Sequence, residues 1–118
     1  MAVISPSSGL PQVFPFPYEL GLERLQNIFG LNPKEYPTAR IMGAPLEDRA
    51  RDIMDAFADP GNKAVFTSIG GEDQIQLIKY LNPQVFLDNP KPFFGYSDNT
   101  HLHNFLWNLG IPSLVVQL

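Results

Sequence analysis

Cysteine is absent from the 118 residues, which removes disulfides, thiolate nucleophiles and cysteine-ligated metals from consideration. Its absence suits either redox compartment. Basic residues are scarce: 8 Lys and Arg stand against 12 Asp and Glu, for a net charge of −4. No local Lys/Arg cluster offsets that balance, which would repel a phosphate backbone, so nucleic acid is not expected as a partner. No apolar run approaches the roughly 20 residues needed to span a bilayer. The opening Met1-Ala2-Val3-Ile4-Ser5-Pro6 has no basic stretch ahead of its apolar residues and does not read as a secretory signal. A cytoplasmic protein without membrane contact is expected. His101 and His103 have no obvious third ligand, so neither a metal nor another cofactor is expected.

What is present suits a folded chain: 44% of residues are hydrophobic and 17% charged. The length fits one domain over residues 1–118. Twelve prolines and nine glycines fall between periodic segments and act as punctuation. Tyr18, Leu22, Leu25 and Phe29 form one helical stripe that ends at Gly30. Leu46, Ala50, Ile53 and Phe57 form a second, with Pro45 in its first turn and Asp59-Pro60-Gly61 as its stop. Ile75, Ile78 and Leu81 mark a shorter helix opening at Gly71-Glu72-Asp73. Leu102, Phe105, Leu106 and Leu109 mark the last, closed by Gly110. Between them, Ala2–Ile4, Ala64–Ile69, Pro92–Tyr96 and Leu114–Val116 read as strands buried on both faces. Asn32–Tyr36, flanked by Pro33 and Pro37, reads as an edge strand. This alternation predicts an α/β fold: a flavodoxin-like, doubly wound, five-stranded parallel sheet of order 2-1-3-4-5 with helices on both faces. Ligands in such sheets bind beyond the carboxyl ends of the strands. Three loops are predicted to meet there: Ser5–Gly9, Gly70–Asp73 and Ser97–Asn99.

The run Phe93-Phe94-Gly95-Tyr96-Ser97-Asp98-Asn99-Thr100 places a serine at a strand-to-helix turn, two positions after a glycine. A nucleophile elbow has this form, because the sharp turn lifts Oγ clear of the sheet and aims the next N–H at a developing oxyanion. The usual second glycine, two positions after the serine, is Asn99 here. Motif shape alone leaves open the plainer reading that Ser97 or Asp98 caps the last helix. Gly70-Gly71 reads either as part of such a site or as a flexible turn. Ser5-Pro6-Ser7-Ser8-Gly9 supplies hydroxyls and N–H groups for an anion, although Pro6 removes one donor. Phe14-Pro15-Phe16-Pro17-Tyr18 reads as a rigid lid on the first helix. Glu47-Asp48-Arg49 and Arg51-Asp52 read as a solvated helix face with mixed ion pairs. His101 and His103, two apart on a helix, point in different directions and read as surface residues.

Three segments in order, Ala2 through Ser8, Ser68-Ile69-Gly70-Gly71-Glu72-Asp73 and Lys91 through Thr100, together resemble the N-terminal half of the LD-carboxypeptidase and microcin-immunity serine peptidases. The resemblance implies that Ser97 is the catalytic nucleophile. It also implies that the N–H of Asp98 and one from the Gly70-Gly71 turn form the oxyanion hole. The implied reaction is cleavage of an amide bond next to a free carboxylate, in a recycled peptidoglycan tetrapeptide or a peptidyl-nucleotide antibiotic. Such substrates are the peptide-like partner expected. In that family the general-base His and its Glu partner lie in a C-terminal half that this sequence lacks, so the chain alone is expected to be inactive. Family members also continue past the segment matching Gly110-Ile111-Pro112 into a Tyr-Gly-Gly turn, whereas Ser113-Leu114-Val115-Val116 follows directly here. These departures lead to the expectation of a truncated, engineered domain that self-associates through the surface so exposed. The alternative is a flavodoxin-like scaffold, or an anion- or nucleotide-binding module, without catalysis. A response-regulator receiver is excluded, since Ser5-Pro6 and Ile69-Gly70 stand where its acidic residues belong.

Overall fold

A short apolar strand is stable only when neighbours pair its backbone and helices cover its faces. In a computed structural model, which describes residues 1–116, five such strands meet that condition to different degrees. The chain runs through β1 (Ala2–Ile4), a 3-10 turn (Leu10–Gln12), α1 (Pro15–Asn27), β2 (Lys34–Glu35), α2 (Leu46–Ala58) and β3 (Val65–Thr67). A 3-10 helix (Gln74–Tyr80), α3 (Pro83–Asp88), β4 (Phe93–Gly95), α4 (Thr100–Asn108) and β5 (Leu114–Val115) complete it. All pairings are parallel and the order is β2-β1-β3-β4-β5, as the alternation predicts.

Register divides the side chains between two faces. Ala2 pairs with Val65, Val65 with Phe93, and Ile4 with Thr67, so Ala2, Ile4, Val65 and Phe93 share one face. There they pack with Ala50, Ile53 and Phe57 of α2, Leu77, Phe86 of α3, and Leu102 and Leu106 of α4 to make the core. Phe57 and Phe86, both fully buried, sit with ring centroids 4.8 Å apart, and Phe105 meets Phe86 edge-on at 5.2 Å. Each such pair adds about 0.5–1.5 kcal/mol beyond area burial. Val3, Phe66 and Phe94 point to the opposite face, where α1 lies across a cleft of about 540 Å³. Among the described residues no helix is long and apolar enough to cross a membrane.

Several elements differ from the sequence expectations. Phe14–Tyr18 is not a separate lid: Pro15 and Pro17 lie in the first turn of α1, where their missing N–H groups have no intrahelical partner to lose. Phe14 and Phe16 are exposed, and of the predicted stripe only Leu25 is buried, because α1 meets the sheet across the cleft. The third predicted helix is a 3-10 helix that buries Gln74 and Leu77 and exposes Ile75. At three residues per turn, positions three apart share a face, so the buried side is set by Gln74 and Leu77. It is followed by the unanticipated α3, whose signature is Asn82-Pro83: the Asn82 side chain accepts from Gln84 N at 3.1 Å, and Pro83 starts the helix. Gly110 ends α4 as expected, at φ 80°, with Ile111 N donating to Leu106 O and Gly110 N to Trp107 O. The strands are not all buried on both faces: Phe66 and Phe94 are half-buried, and β5 is exposed.

The predicted solvated face of α2 is also wrong in two places. Arg49 and Asp52 are buried. Asp52 Oδ2 accepts from Thr38 N at 2.7 Å and Thr38 Oγ1 at 2.6 Å, pinning the segment after β2 to α2. Arg49 reaches the top of the sheet, where the three predicted loops meet.

Candidate active site

At the carboxyl end of β4 the chain turns at Ser97, the residue with φ 60° and the only non-glycine with positive φ among the described residues. A left-handed serine costs about 1–2 kcal/mol. The serine is exposed and begins a 3-10 turn, Ser97–Asn99, that leads into α4. Close packing explains the glycine two positions before it. A Cβ at Gly95 would lie 2.6 Å from Thr67 Oγ1 and 3.1 Å from Asn99 Cβ. The capping alternative is not what the side chains do. Neither this turn nor α4 has a side-chain cap, and Asp98 Oδ2 instead accepts from Gln74 N at 3.0 Å, serving the neighbouring 3-10 helix.

Gly70 stands directly against the serine. A Cβ on it would be 2.9 Å from both Cβ and Oγ of Ser97 and 3.2 Å from Asp98 N. Any other residue would press its Cβ into the Ser97 turn there. Gly71 faces elsewhere, since its Cβ would be 3.0 Å from Ser7 Cβ. Of the glycine pair, Gly70 is thus the one brought to Ser97 and Asp98.

Asn99, the departure from the elbow pattern, is fully buried. Its amide donates to Tyr96 O at 3.1 Å and Ile69 O at 3.3 Å, tying the elbow to the loop that carries Gly70. Its Oδ1 accepts from Gln74 Nε2 at 2.7 Å. Arg49 provides a second tie. Its Nη1 donates to Ser7 O at 2.9 Å and Pro6 O at 3.3 Å, and the guanidinium grips Asp73 through both oxygens at 2.9 and 3.0 Å. That guanidinium holds the Asp73 carboxyl below its ordinary range. Gln74 and Arg49 are functional candidates that sequence reasoning missed. Their available signal was a polar residue interrupting an otherwise apolar helix face.

The Ser5–Gly9 loop is wired inward. Ser5 Oγ donates to Ala39 O at 2.7 Å, Ser7 Oγ accepts from Gln74 Nε2 at 2.9 Å, and the Pro6 and Ser7 carbonyls take Arg49. Of the loop's three serines Ser8 alone lies outside this wiring, with its hydroxyl 3.8 Å from Met42 Sδ.

The histidines are not a matched surface pair. His103 is buried edge-on to Phe93, donates from Nε2 to Gly95 O at 2.9 Å and meets Ser113 Oγ through Nδ1. Both ring nitrogens are therefore engaged in joining the end of β4 to the approach to β5. His101 is half-buried, with Nε2 3.4 Å from Asp98 Oδ1. The site thus has an exposed serine, a glycine packed against it and a rigid backing, with both nitrogens of one histidine spent and the other facing a carboxylate.

Comparison with known proteins agrees with this architecture. A family model described as Peptidase S66, LD-carboxypeptidase N-terminal domain, matches residues 1–115. A Treponema pallidum (strain Nichols) protein named for carboxypeptidase activity is 32% identical over 106 residues, covering 86% of this chain and 31% of its own length. The crystal structure of an MccF-like protein from Bacillus anthracis superposes with TM-score 0.88 at 34% identity, over 97% of this chain and 36% of that one. An MccF-like protein from Streptococcus pneumoniae, solved in complex with AMP, gives TM-score 0.89 at 33% identity, over 98% and 36%. The chain thus spans about a third of the length of these relatives. On the extent of the family match and the agreement in fold, the chain belongs to the LD-carboxypeptidase N-terminal domain family.

Proposed function

We propose that this chain is the nucleophile-bearing part of a serine carboxypeptidase that cleaves an amide bond next to a free carboxylate. The observation that carries the reading is Ser97, exposed at φ 60° at the end of β4 with Gly70 packed against it. In the proposed reaction Ser97 Oγ attacks the amide carbonyl, and its proton passes to a histidine supplied from beyond this chain. The carbonyl oxygen, now negative, is held by the N–H groups of Asp98 and Gly70. The C–N bond then breaks, the amine leaves with the proton, and water releases the acyl group by the reverse sequence. Asp98 needs a fixed main chain for this, which its carboxylate bond to Gln74 N supplies. His103 cannot serve as base while both its nitrogens are bound, and His101 Nε2 faces Asp98. The chain alone is therefore inactive in this reading.

Two assays test it. The chain, with its Ser97→Ala variant as control, is given a peptide ending in an L,D-amide, a peptidyl-nucleotide amide and a fluorophosphonate probe. No turnover or labelling above the control is expected. The chain is then fused to the remaining length of the Treponema pallidum relative. That chimera should turn over one of the amides, and Ser97→Ala should lower its kcat by at least about 10³-fold. A chimera unaffected by Ser97→Ala would overturn the assignment.

The same reading includes self-association, because the two sheet edges are unlike. Edge β2 presents Lys34 and Glu35, charges of the kind that discourage strand addition. Edge β5 presents Leu114 and Val115, 52% and 70% exposed, beside the half-buried Phe94. A second copy joined along β5 would cover this apolar edge, and light scattering should report a mass rising with concentration above 13.2 kDa. Leu114→Lys should restore the monomer. A wild-type protein that stays monomeric at millimolar concentration would refute the pairing.

A further inference from the structure

We propose that Gln74 is the positioning residue of the Ser97 turn; its importance for reaction rests on the function proposed above, but its effect on the turn does not. Gln74 is fully buried at the start of the 3-10 helix, and both ends of its carboxamide are used. Nε2 donates to Ser7 Oγ at 2.9 Å and Asn99 Oδ1 at 2.7 Å, while Oε1 accepts from Leu102 N at 3.0 Å. Its main-chain N–H adds the bond to Asp98 Oδ2 at 3.0 Å. One residue therefore holds the loop after β1, two residues of the elbow and the first turn of α4.

These bonds surround Ser97 without touching it. Asp98 is held by its carboxylate and Asn99 by its carbonyl oxygen. Through the Asn99 amide, Tyr96 O and Ile69 O are held as well. The residues before and after Ser97 are fixed while Ser97 sits in a left-handed conformation that L-residues avoid. A local strain persists only where its surroundings over-determine it. The Gln74 amide is the point at which these constraints converge. Leucine would fill a similar volume but would leave Ser7 Oγ, Asn99 Oδ1 and Leu102 N without their partner.

A residue that merely stabilised the fold would act no differently from any other core position of equal effect. A positioning residue changes Ser97 selectively. The test uses solution NMR of the 118-residue chain as wild type, Gln74→Leu, Gln74→Glu and, as a remote core control, Ile53→Val. In Gln74→Leu the shifts and couplings that report positive φ at Ser97 should be lost. The Leu102 amide should exchange at least about tenfold faster, the scale of one buried hydrogen bond. The control should keep the Ser97 signature. Gln74→Glu, which retains the side-chain length, offers no donor when ionised and regains one when protonated. Burial raises the pKa of that carboxyl, so the Ser97 signature should be present at lower pH and lost as pH rises through the raised value, a pH dependence unavailable to the leucine variant.

Positive φ at Ser97 in Gln74→Leu, or equal loss in the control, would overturn the proposal. If Gln74→Leu does not fold, the pH-dependent signature of Gln74→Glu decides. In the active chimera the same substitutions should lower kcat about tenfold or more with KM little changed, as for loss of a transition-state interaction. A chimera with no Ser97-dependent turnover would count against the proposed function, while the Ser97 conformation would still decide the role of Gln74.

Discussion

Replacing Arg49 with methionine is expected to destabilise the protein by about 2–3 kcal/mol at neutral pH. Methionine fills much of the same space but donates nothing, so Pro6 O, Ser7 O and the Asp73 carboxylate all lose their partner. Breaking a fully buried ion pair costs about 3–5 kcal/mol. The smaller value follows from geometry: the Arg49 side chain is 6% exposed but that of Asp73 is 40% exposed, so water can solvate the carboxylate left behind. Acid supplies an independent readout. Arg49 holds the folded-state pKa of Asp73 below its ordinary value. The stabilisation is therefore complete above the unfolded Asp value of about 3.9 and is lost as pH falls through the lower folded value. The gap between wild type and Arg49→Met should be widest near pH 7 and narrow below about pH 4. Urea denaturation across that range measures both. A gap that stays constant with pH would mean that Asp73 contributes nothing through Arg49.

Which parts of the molecule were legible in the sequence depended on how far apart the interacting residues lie. Strand and helix order was legible because it is local: Val65–Thr67 and Phe93–Gly95 lie within apolar runs, and Leu46–Ala58 repeats its apolar positions at helical spacing. The elbow was legible as a motif because Gly95 and Ser97 are two residues apart. Its support was not. Gln74 meets Ser7 across 67 residues, and Arg49 reaches Pro6 across 43. On a helical wheel Asp52 looks like a solvent-facing charge, and Arg49, beside Leu46 and Ile53, interrupts the apolar face without showing its partners. Their burial follows from the carbonyls and hydroxyls of distant loops, which no pattern within α2 reveals. His103 was misread for the same reason, since its place is set by Gly95 O and Ser113 Oγ. Asn82-Pro83 was a local start signal for α3 and was readable in principle.

Two glycine-to-alanine substitutions with opposite expected signs test how tightly the upper loops are packed. Gly9 has φ −83°, outside the left-handed region that favours glycine, so positive φ is not what an alanine would face there. The obstacle is space: a Cβ would lie 1.9 Å from Ile41 O and 2.6 Å from Met42 N. The opposing segment is held and cannot simply withdraw. Ala39 O takes the Ser5 hydroxyl, Met42 N donates to Gln12 Oε1 at 2.6 Å, and Thr38 is bound twice to Asp52. Gly9→Ala should therefore cost about 3 kcal/mol or more, the upper end for overpacking. Gly21 in α1 is the opposite case, with nothing within 4 Å of its Cβ position. Gly21→Ala should stabilise by about 1 kcal/mol through helix propensity. Thermal and urea unfolding of the two variants give both signs directly. A mild effect at Gly9 would mean that residues 38–42 yield easily, so that this side of the Ser5–Gly9 loop is soft. Ser7 belongs to that loop and accepts from Gln74. A severe effect at Gly9 would mark the loop as a rigid support for the Ser97 turn.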